Sequence, residues 1–261
     1  MIKIGIGGWT FEPWRGVFYP DRLPQARELS YAAENLTGIE VNGTYYGTQK
    51  PAVFRKWASE VPEGFMFSLK APRFATNRKV LAEASPSIEK FIDSGIAELG
   101  DKLGPLLWQF MPTKKFDPDD FAAFLDLLPE KAGGITLRHV VDVRHDSFRT
   151  AAFLDLVRPR NVAVVYAHSD EHPEIADPTA DFVYARLMKT QEDIETGYSA
   201  KDLDAWAGRV RVWERGDVPE DLELIGKKPA KTKRDCFIYF ISGAKVRAPA
   251  AAVALIARLG A

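Results

Sequence analysis

Cysteine is nearly absent: the 261 residues contain one, Cys236. A single thiol rules out an internal disulfide framework and a cysteine-rich zinc centre. Charge of one sign is not in excess either. Thirty-five Lys and Arg stand against 36 Asp and Glu, a formal charge of −1. No global field therefore draws the chain to nucleic acid or to an anionic membrane, and any such binding must be local. No apolar run approaches the roughly 18 residues that a membrane-spanning helix needs. The start, Met1 to Trp9, runs straight into strand-like sequence with no charged n-region and long apolar stretch, so no signal peptide is expected and the chain reads as cytoplasmic. Nucleophile and metal signatures are missing: there is no G-x-S-x-G, no H-x-H and no HExxH. Gly5-Ile6-Gly7-Gly8 is only part of a glycine loop and leads into Trp9-Thr10-Phe11 instead of a helix start. That argues against a dinucleotide fingerprint, and no motif names a cofactor.

What is present is an alternation of short apolar runs with helix-period segments. Strands are expected at 2–8, 38–43, 65–71, 105–111, 139–145, 162–168, 182–188 and 236–242. Most are near-continuous apolar runs, as parallel strands covered on both faces require. Between them, Ile88, Phe91, Ile92, Ile96 and Leu99 fall on one helical face, as do Phe121, Phe124, Leu125 and Leu128, and Leu203, Trp206, Val210 and Trp213. Ser85-Pro86 and Asp117-Pro118 each place a capping residue before a first-turn proline, and Ser199 with Asp202 resembles a capping box. A last helix is expected over about 249–259. The polar stretch 169–181 holds two prolines and predicts only a short helix or loop. Eight β–α units in this length are the arithmetic of an α/β protein of the TIM (β/α)8 barrel type, read as a single domain over 1–261 with its sixth helix short or irregular.

Polar residues interrupt these strands almost only in their C-terminal halves. They are Glu40 and Asn42 in the second strand, Lys70 in the third, Gln109 in the fourth, and Asp142, Arg144 and His145 in the fifth. His168 ends the sixth, Arg186 lies late in the seventh and Ser242 ends the eighth. Side chains alternate with a period of two. Glu40 and Asn42 then share the inner face, as do Asp142 with Arg144 and Tyr184 with Arg186, while Val41, Val143, Val183, Ala185 and Leu187 face outward. An unpaired buried charge is costly, so such a set either converges at the C-terminal mouth, the usual catalytic face, or fills the top layer as ion pairs. Three cations there, Lys70, Arg144 and Arg186, suit an anionic ligand. Glu40 and Asp142 could exchange protons if burial raised one pKa, or could simply orient the arginines. Glu40, Asp142, His145 and His168 could also ligate a metal, but parity turns His145 outward and no metal site is expected. Cys236, at the foot of the eighth strand, reads as core.

Aromatics gather in the first loops. Trp9 and Tyr45 sit nearest the mouth and could stack on a ligand, whereas Phe18 and Tyr19, beside Pro20, suit packing of their own loop. Arg73, Arg78 and Lys79 lie at the same end and could guide an anion. The run Lys227-Lys228, Lys231, Lys233-Arg234 belongs to the opposite end and reads as a solvated loop, with a nucleic-acid patch as the other reading.

Several segments together resemble the YecE-like family of TIM barrels, also called domain of unknown function 72. They are Gly8-Trp9, Trp14-Arg15-Gly16, Phe18-Tyr19-Pro20, Ile39-Glu40-Val41-Asn42 with Tyr45-Tyr46, Trp57, Phe65 to Lys70, Leu103 to Gln109, Arg144-His145, Tyr184 to Leu187, Tyr198 and Trp206. The resemblance implies the barrel and the location of its site, and it carries over no reaction. The chain departs from the family pattern at Asp142 (usually Glu), Asn77 (usually His), Met188-Lys189 (usually His-Gly) and Ile241-Ser242 (usually Asn-Asn). Such departures imply an altered substrate or a lost activity. The residues lead to an enzyme acting on a small or medium anionic substrate, phosphorylated or nucleotide-like. Lys70, Arg144 and Arg186 would bind the anion, Glu40 or Asp142 would move the proton, and Asn42 and Gln109 would orient the substrate. The alternatives are a nucleic-acid binder or processor and a non-catalytic ligand-binding barrel.

Overall fold

Eight parallel strands close on themselves in the computed structural model, which describes residues 1–260. They are β1 (Ile2–Gly7), β2 (Gly38–Val41), β3 (Met66–Lys70), β4 (Leu103–Gln109), β5 (His139–Asp142), β6 (Ala163–His168), β7 (Phe182–Leu187) and β8 (Asp235–Phe240). The hydrogen-bonded order runs β1–β8–β7–β6–β5–β4–β3–β2, and β2 pairs back onto β1 through Gly5 opposite Gly38. This is the TIM barrel that the eight apolar runs predict. Four strands, β2, β4, β5 and β8, end two or three residues early. At β2, the Asn42 backbone turns into the helical region and leads into α2 (Gly43–Tyr46), without a side-chain cap. At β5, the ladder stops at Asp142, so Arg144 and His145 lie beyond it. Ser242, expected to end the eighth strand, lies past it with φ 63°.

The inner and outer faces separate as parity requires. Val41, Val143, Val183, Ala185 and Leu187 belong to the outer core, between strands and helices. Leu107, Val140, Val165, Tyr184, Phe237 and Tyr239 pack within the barrel. Tyr239 fills this interior because β1 and β2 present glycine to it. A Cβ on Gly38 would stand 3.2 Å from the Tyr239 hydroxyl, and one on Gly5 only 1.7 Å from the Gly38 carbonyl oxygen. Ser68 bonds Tyr239 across the interior at 2.8 Å.

The outer layer includes α1 (Glu28–Asn35), α3 (Pro51–Ser59), α4 (Arg73–Thr76), α5 (Ser85–Ile92), α6 (Pro118–Asp126), α7 (Ala151–Val157), α8 (Ala200–Glu214) and α9 (Ala248–Leu259). α8 buries Leu203, Trp206, Val210 and Trp213, the face its periodicity marks out. Asp117 caps α6 by accepting from Asp119 and Asp120 N–H, and Ser199 caps α8 by accepting from Asp202 N–H. Ser85 is different: Ala84 holds the cap position, and the Ser85 hydroxyl donates to Glu89. The apolar stripe from Ile88 to Leu99 also divides. Gly95, at φ 103°, breaks it into α5 and a 3-10 segment, Ile96–Lys102, although Ile88 and Phe91 in one half and Ile96 and Leu99 in the other are all buried. A short hairpin, Lys131–Ala132 with Ile135–Thr136, turns through the left-handed pair Gly133-Gly134 and was not expected.

Residues 169–181 form no helix between β6 and β7. Buried Asp177 anchors the segment by accepting from the backbone N–H of Ile225 and Gly226 at 2.8 and 2.9 Å. In the lysine run before β8, Lys228 and Lys231 pair with Asp217. Arg234 departs from the solvated reading: it is buried, and it donates to the Gly216 carbonyl at 2.7 Å. Cys236 is buried near the start of β8, and burial pushes its thiol up to about 12.

Candidate active site at the barrel mouth

The strand ends bring Glu40, Lys70, Gln109, Asp142 and Arg186 to one end of the barrel. Arg186 is the hub. Its Nη2 donates to Glu40 Oε1 at 3.0 Å, and its Nη1 donates to Asp142 Oδ2 at 2.7 Å and to Gln109 Oε1 at 3.3 Å. Arg144, just past β5, folds back onto the same groups. Its Nη2 lies 3.0 Å from Asp142 Oδ2 and 2.8 Å from Gln109 Oε1. The Tyr184 hydroxyl donates to Glu40 Oε2 at 2.8 Å. Burial, then the Glu40 charge, raises the pKa of this phenol and keeps it a donor. Burial alone would push Asp142 up, but Arg144 and Arg186 outweigh it and hold its carboxyl below the usual range.

Glu40 and Asp142 are wholly buried and Arg186 is 2% exposed, so these three are salt-linked beneath the surface. Lys70, at 8%, and Arg144, whose side chain is 16% exposed, are the cations nearer solvent. Among the described residues Lys70 forms no ion pair. Its Nζ lies 4.1 Å from the centre of the Tyr45 ring. Burial, then the charge of Arg186, brings this ammonium down to about 8, with Glu40 and Asp142 pulling the other way. Thr44 donates to the Lys70 carbonyl at 2.7 Å and so holds α2, with Tyr45, against the end of β3. Half-buried Asn42 lies beside Gly7, where a Cβ would come within 3.0 Å of its side-chain nitrogen. Two polar atoms of the network remain without a partner, Asp142 Oδ1 and Arg186 Nε.

Other expected residues are placed elsewhere. The Trp9 ring packs edge-on against Trp57 at 5.1 Å and near Phe67 at 6.4 Å. Phe67 faces outward from β3, so Trp9 serves the outer core. His168 also faces outward, bonded to Tyr198 at 3.1 Å and 4.9 Å from the Trp206 ring. His145 accepts from Ser147 N–H through Nδ1 at 3.1 Å. Phe18 and Tyr19 pack in their own loop, as expected. Arg78 is fixed by the Phe74 carbonyl and Ser87, whereas Arg73 and Lys79 are exposed.

His172 was not foreseen. It belongs to the helix-free segment after β6, close enough to Arg144 and Asp142 for both charges to act on its proton, and its buried Nδ1 has no partner. No periodicity or motif marks it in sequence. Tyr184 was legible as inward-facing, but its bond to Glu40 was not.

Closed parallel barrel and charged strand ends together define a (β/α)8-barrel protein. Residues 3–261 match the family described as "Protein of unknown function DUF72", and the chain belongs to that family. It is 27% identical over 117 residues to the UPF0759 protein YunF of Bacillus subtilis, a match spanning 43% of this chain and 40% of that protein's length. A DUF72 family protein from Thermotoga maritima superposes with a TM-score of 0.76 at 21% identity, covering 100% of both chains. A sugar phosphate isomerase/epimerase from Parabacteroides distasonis reaches 0.52 at 13% identity, over 98% of this chain and 94% of that one. Identities this low in the solved structures show the fold alone.

Proposed function

We propose that the barrel mouth is an active site for a small anionic substrate, phosphorylated or nucleotide-like. One observation carries this reading: three cations face two carboxylates, and the cation left unpaired is Lys70, nine-tenths buried beside Tyr45. A desolvated ammonium without a partner gains most from an incoming anion. In this reading Lys70 and Arg144 hold the anion, Asn42 and Gln109 orient the substrate, and Arg186 fixes the network. The carboxylates divide their roles. Both Glu40 oxygens accept from donors, so Glu40 positions Arg186. Asp142 keeps Oδ1 free of donors and is the proton acceptor, reached when the bound anion draws Arg144 off it. Calorimetry with inorganic phosphate, then turnover of a panel of phosphorylated metabolites, tests the reading. The mouth's share of the phosphate binding should vanish in Lys70→Met, and turnover but not that binding should vanish in Asp142→Asn. Wild-type protein that fails to bind phosphate would overturn it, while binding with no turnover across the panel would leave the non-catalytic ligand-binding barrel.

A second reading rests on the rim. Tyr46, at the end of α2, and Phe74, in α4, are 68% and 58% exposed, with Arg73 lying over the Phe74 ring and exposed Lys79 following α4. Exposed rings interleaved with cations suit stacking on single-stranded nucleic acid. Salt-sensitive binding of an oligonucleotide, lost in Phe74→Ala with Tyr46→Ala, supports this reading, and no binding at low salt ends it.

A further inference from the structure

The mouth is not the only place where donors converge. On the outer side of β6 and β7, against α8, lies a cavity of about 280 Å³ lined by His168, Lys189, Gln191, Tyr198, Asp202, Ala205, Trp206 and Arg209. The sheet separates it from the mouth: on β6, His168 faces outward while Ala167 packs within the barrel. The wall is ordered by Tyr198, which is 2% exposed. Its hydroxyl accepts from Lys189 N–H at 2.9 Å and lies 3.1 Å from His168 Nδ1. The assignment that satisfies both groups has the hydroxyl donate to Nδ1, which places the proton of a neutral imidazole on Nε2. Burial, then Lys189 and Arg209, brings His168 down to about 4, so the ring is neutral at pH 7.

Donors outnumber acceptors on this wall. Lys189 uses one ammonium proton on Asp170. Arg209 stacks 4.2 Å over the Trp206 ring and gives Nε and Nη2 to Asp221. Among the described residues, Arg209 Nη1, the Gln191 side-chain amide and His168 Nε2 have no hydrogen-bond partner. The one acid on the wall, Asp202, already accepts from the Ser199 hydroxyl at 2.6 Å.

We infer that this cavity is a second ligand site, which takes a small oxyanion, a phosphate or carboxylate group, between His168, Lys189, Gln191 and Arg209. Excess donors set around a preformed pocket are the arrangement that oxyanion recognition uses. Neutral His168 contributes a hydrogen bond without adding a third positive charge, and the volume admits a metabolite of a few carbons. The inference goes beyond the mouth reading and does not depend on it.

The test follows the imidazole C–H signals of the histidines by NMR while inorganic phosphate is added at pH 7 to the wild type, to Lys70→Met, and to Lys189→Met with Arg209→Met. The His168 signal should shift saturably in the wild type and equally in Lys70→Met. The double variant should need at least tenfold more phosphate for the same shift, with the responses of the other histidine signals the same as in the wild type. Gln191→Leu, at an exposed residue, should weaken binding in the same direction and serves if the double variant does not fold. A His168 signal that stays fixed at millimolar phosphate, or that shifts identically in the Lys189 and Arg209 variant, would overturn the inference. Loss of the shift in Lys70→Met would do so too, by tracing it to the mouth.

Discussion

Arg186 reaches Glu40, 146 residues earlier in the chain, with Nη2 3.0 Å from Oε1, and both are buried. Neither would be tolerable alone. Removing one member of such a set leaves an uncompensated charge and costs on the order of 3–5 kcal/mol. Arg186→Met should therefore lower the unfolding free energy by about that much, measured by urea titration, while Tyr184→Phe should cost about 1–3 kcal/mol for one bond to a carboxylate. A change below about 0.5 kcal/mol in Arg186→Met would mean that the network does not form.

Gly5 and Gly7 should respond differently to the same methyl group. At Gly5 the new Cβ meets the Gly38 backbone 1.7 Å away, whereas at Gly7 it meets the ends of two side chains, Ile241 Cδ1 and Asn42 Nδ2, at 2.8 and 3.0 Å. Side-chain ends can move and a paired strand cannot. Gly5→Ala should cost about 3 kcal/mol or more and Gly7→Ala roughly 1 kcal/mol, compared by thermal and urea unfolding.

His139 sets an acid limit. It is 7% exposed, accepts from Trp108 Nε1–H at 3.1 Å and bonds the Pro129 carbonyl at 2.8 Å. Burial brings it down to about 4, against an ordinary 6.5. Between those values the unfolded chain binds the proton that the native state refuses, so stability rises with pH across the window and is lost as pH falls from about 6.5 to 4. The contribution is on the order of 2–3 kcal/mol. Unfolding measured across that range should show the fall, and His139→Gln should flatten it, leaving the similar but more exposed His168.

Lys70 should titrate apart from the other lysines. Reductive methylation with labelled formaldehyde, followed by carbon NMR, should show one dimethylamine moving near pH 8 and absent in Lys70→Met. Lys70→Met should not lower the melting temperature, because a desolvated cation without an acidic partner contributes little to folding. A normal titration near 10.4 would remove the special status of this ammonium.

Much of this site was legible before any coordinates, because a period of two puts Glu40, Asp142 and Arg186 on one face and the strand-end positions put them at one height. Pairing was not legible. Whether Arg186 takes Glu40 or meets a ligand depends on distances between strands far apart in sequence. Strand ends at 38–43, 105–111, 139–145 and 236–242 run too long in sequence, because alternation continues past the points where the Asn42 backbone turns helical and Val143 loses its ladder partners. Trp9 was misplaced because an aromatic near a strand end satisfies mouth and outer core alike, and packing on Trp57 decided between them. His172 had no signal at all, because its segment follows no period.

The thiol of Cys236 lies at the foot of the barrel, buried and with its pKa near 12. Alkylating reagents act on thiolate, so this sulfur stays silent toward maleimides at neutral pH. A cysteine introduced at Tyr46 or at Gln191 would be the sole labelling handle in an otherwise native background. A fluorophore or spin probe could then be set at the rim or beside the outer cavity, and occupancy of the two places followed separately in one protein.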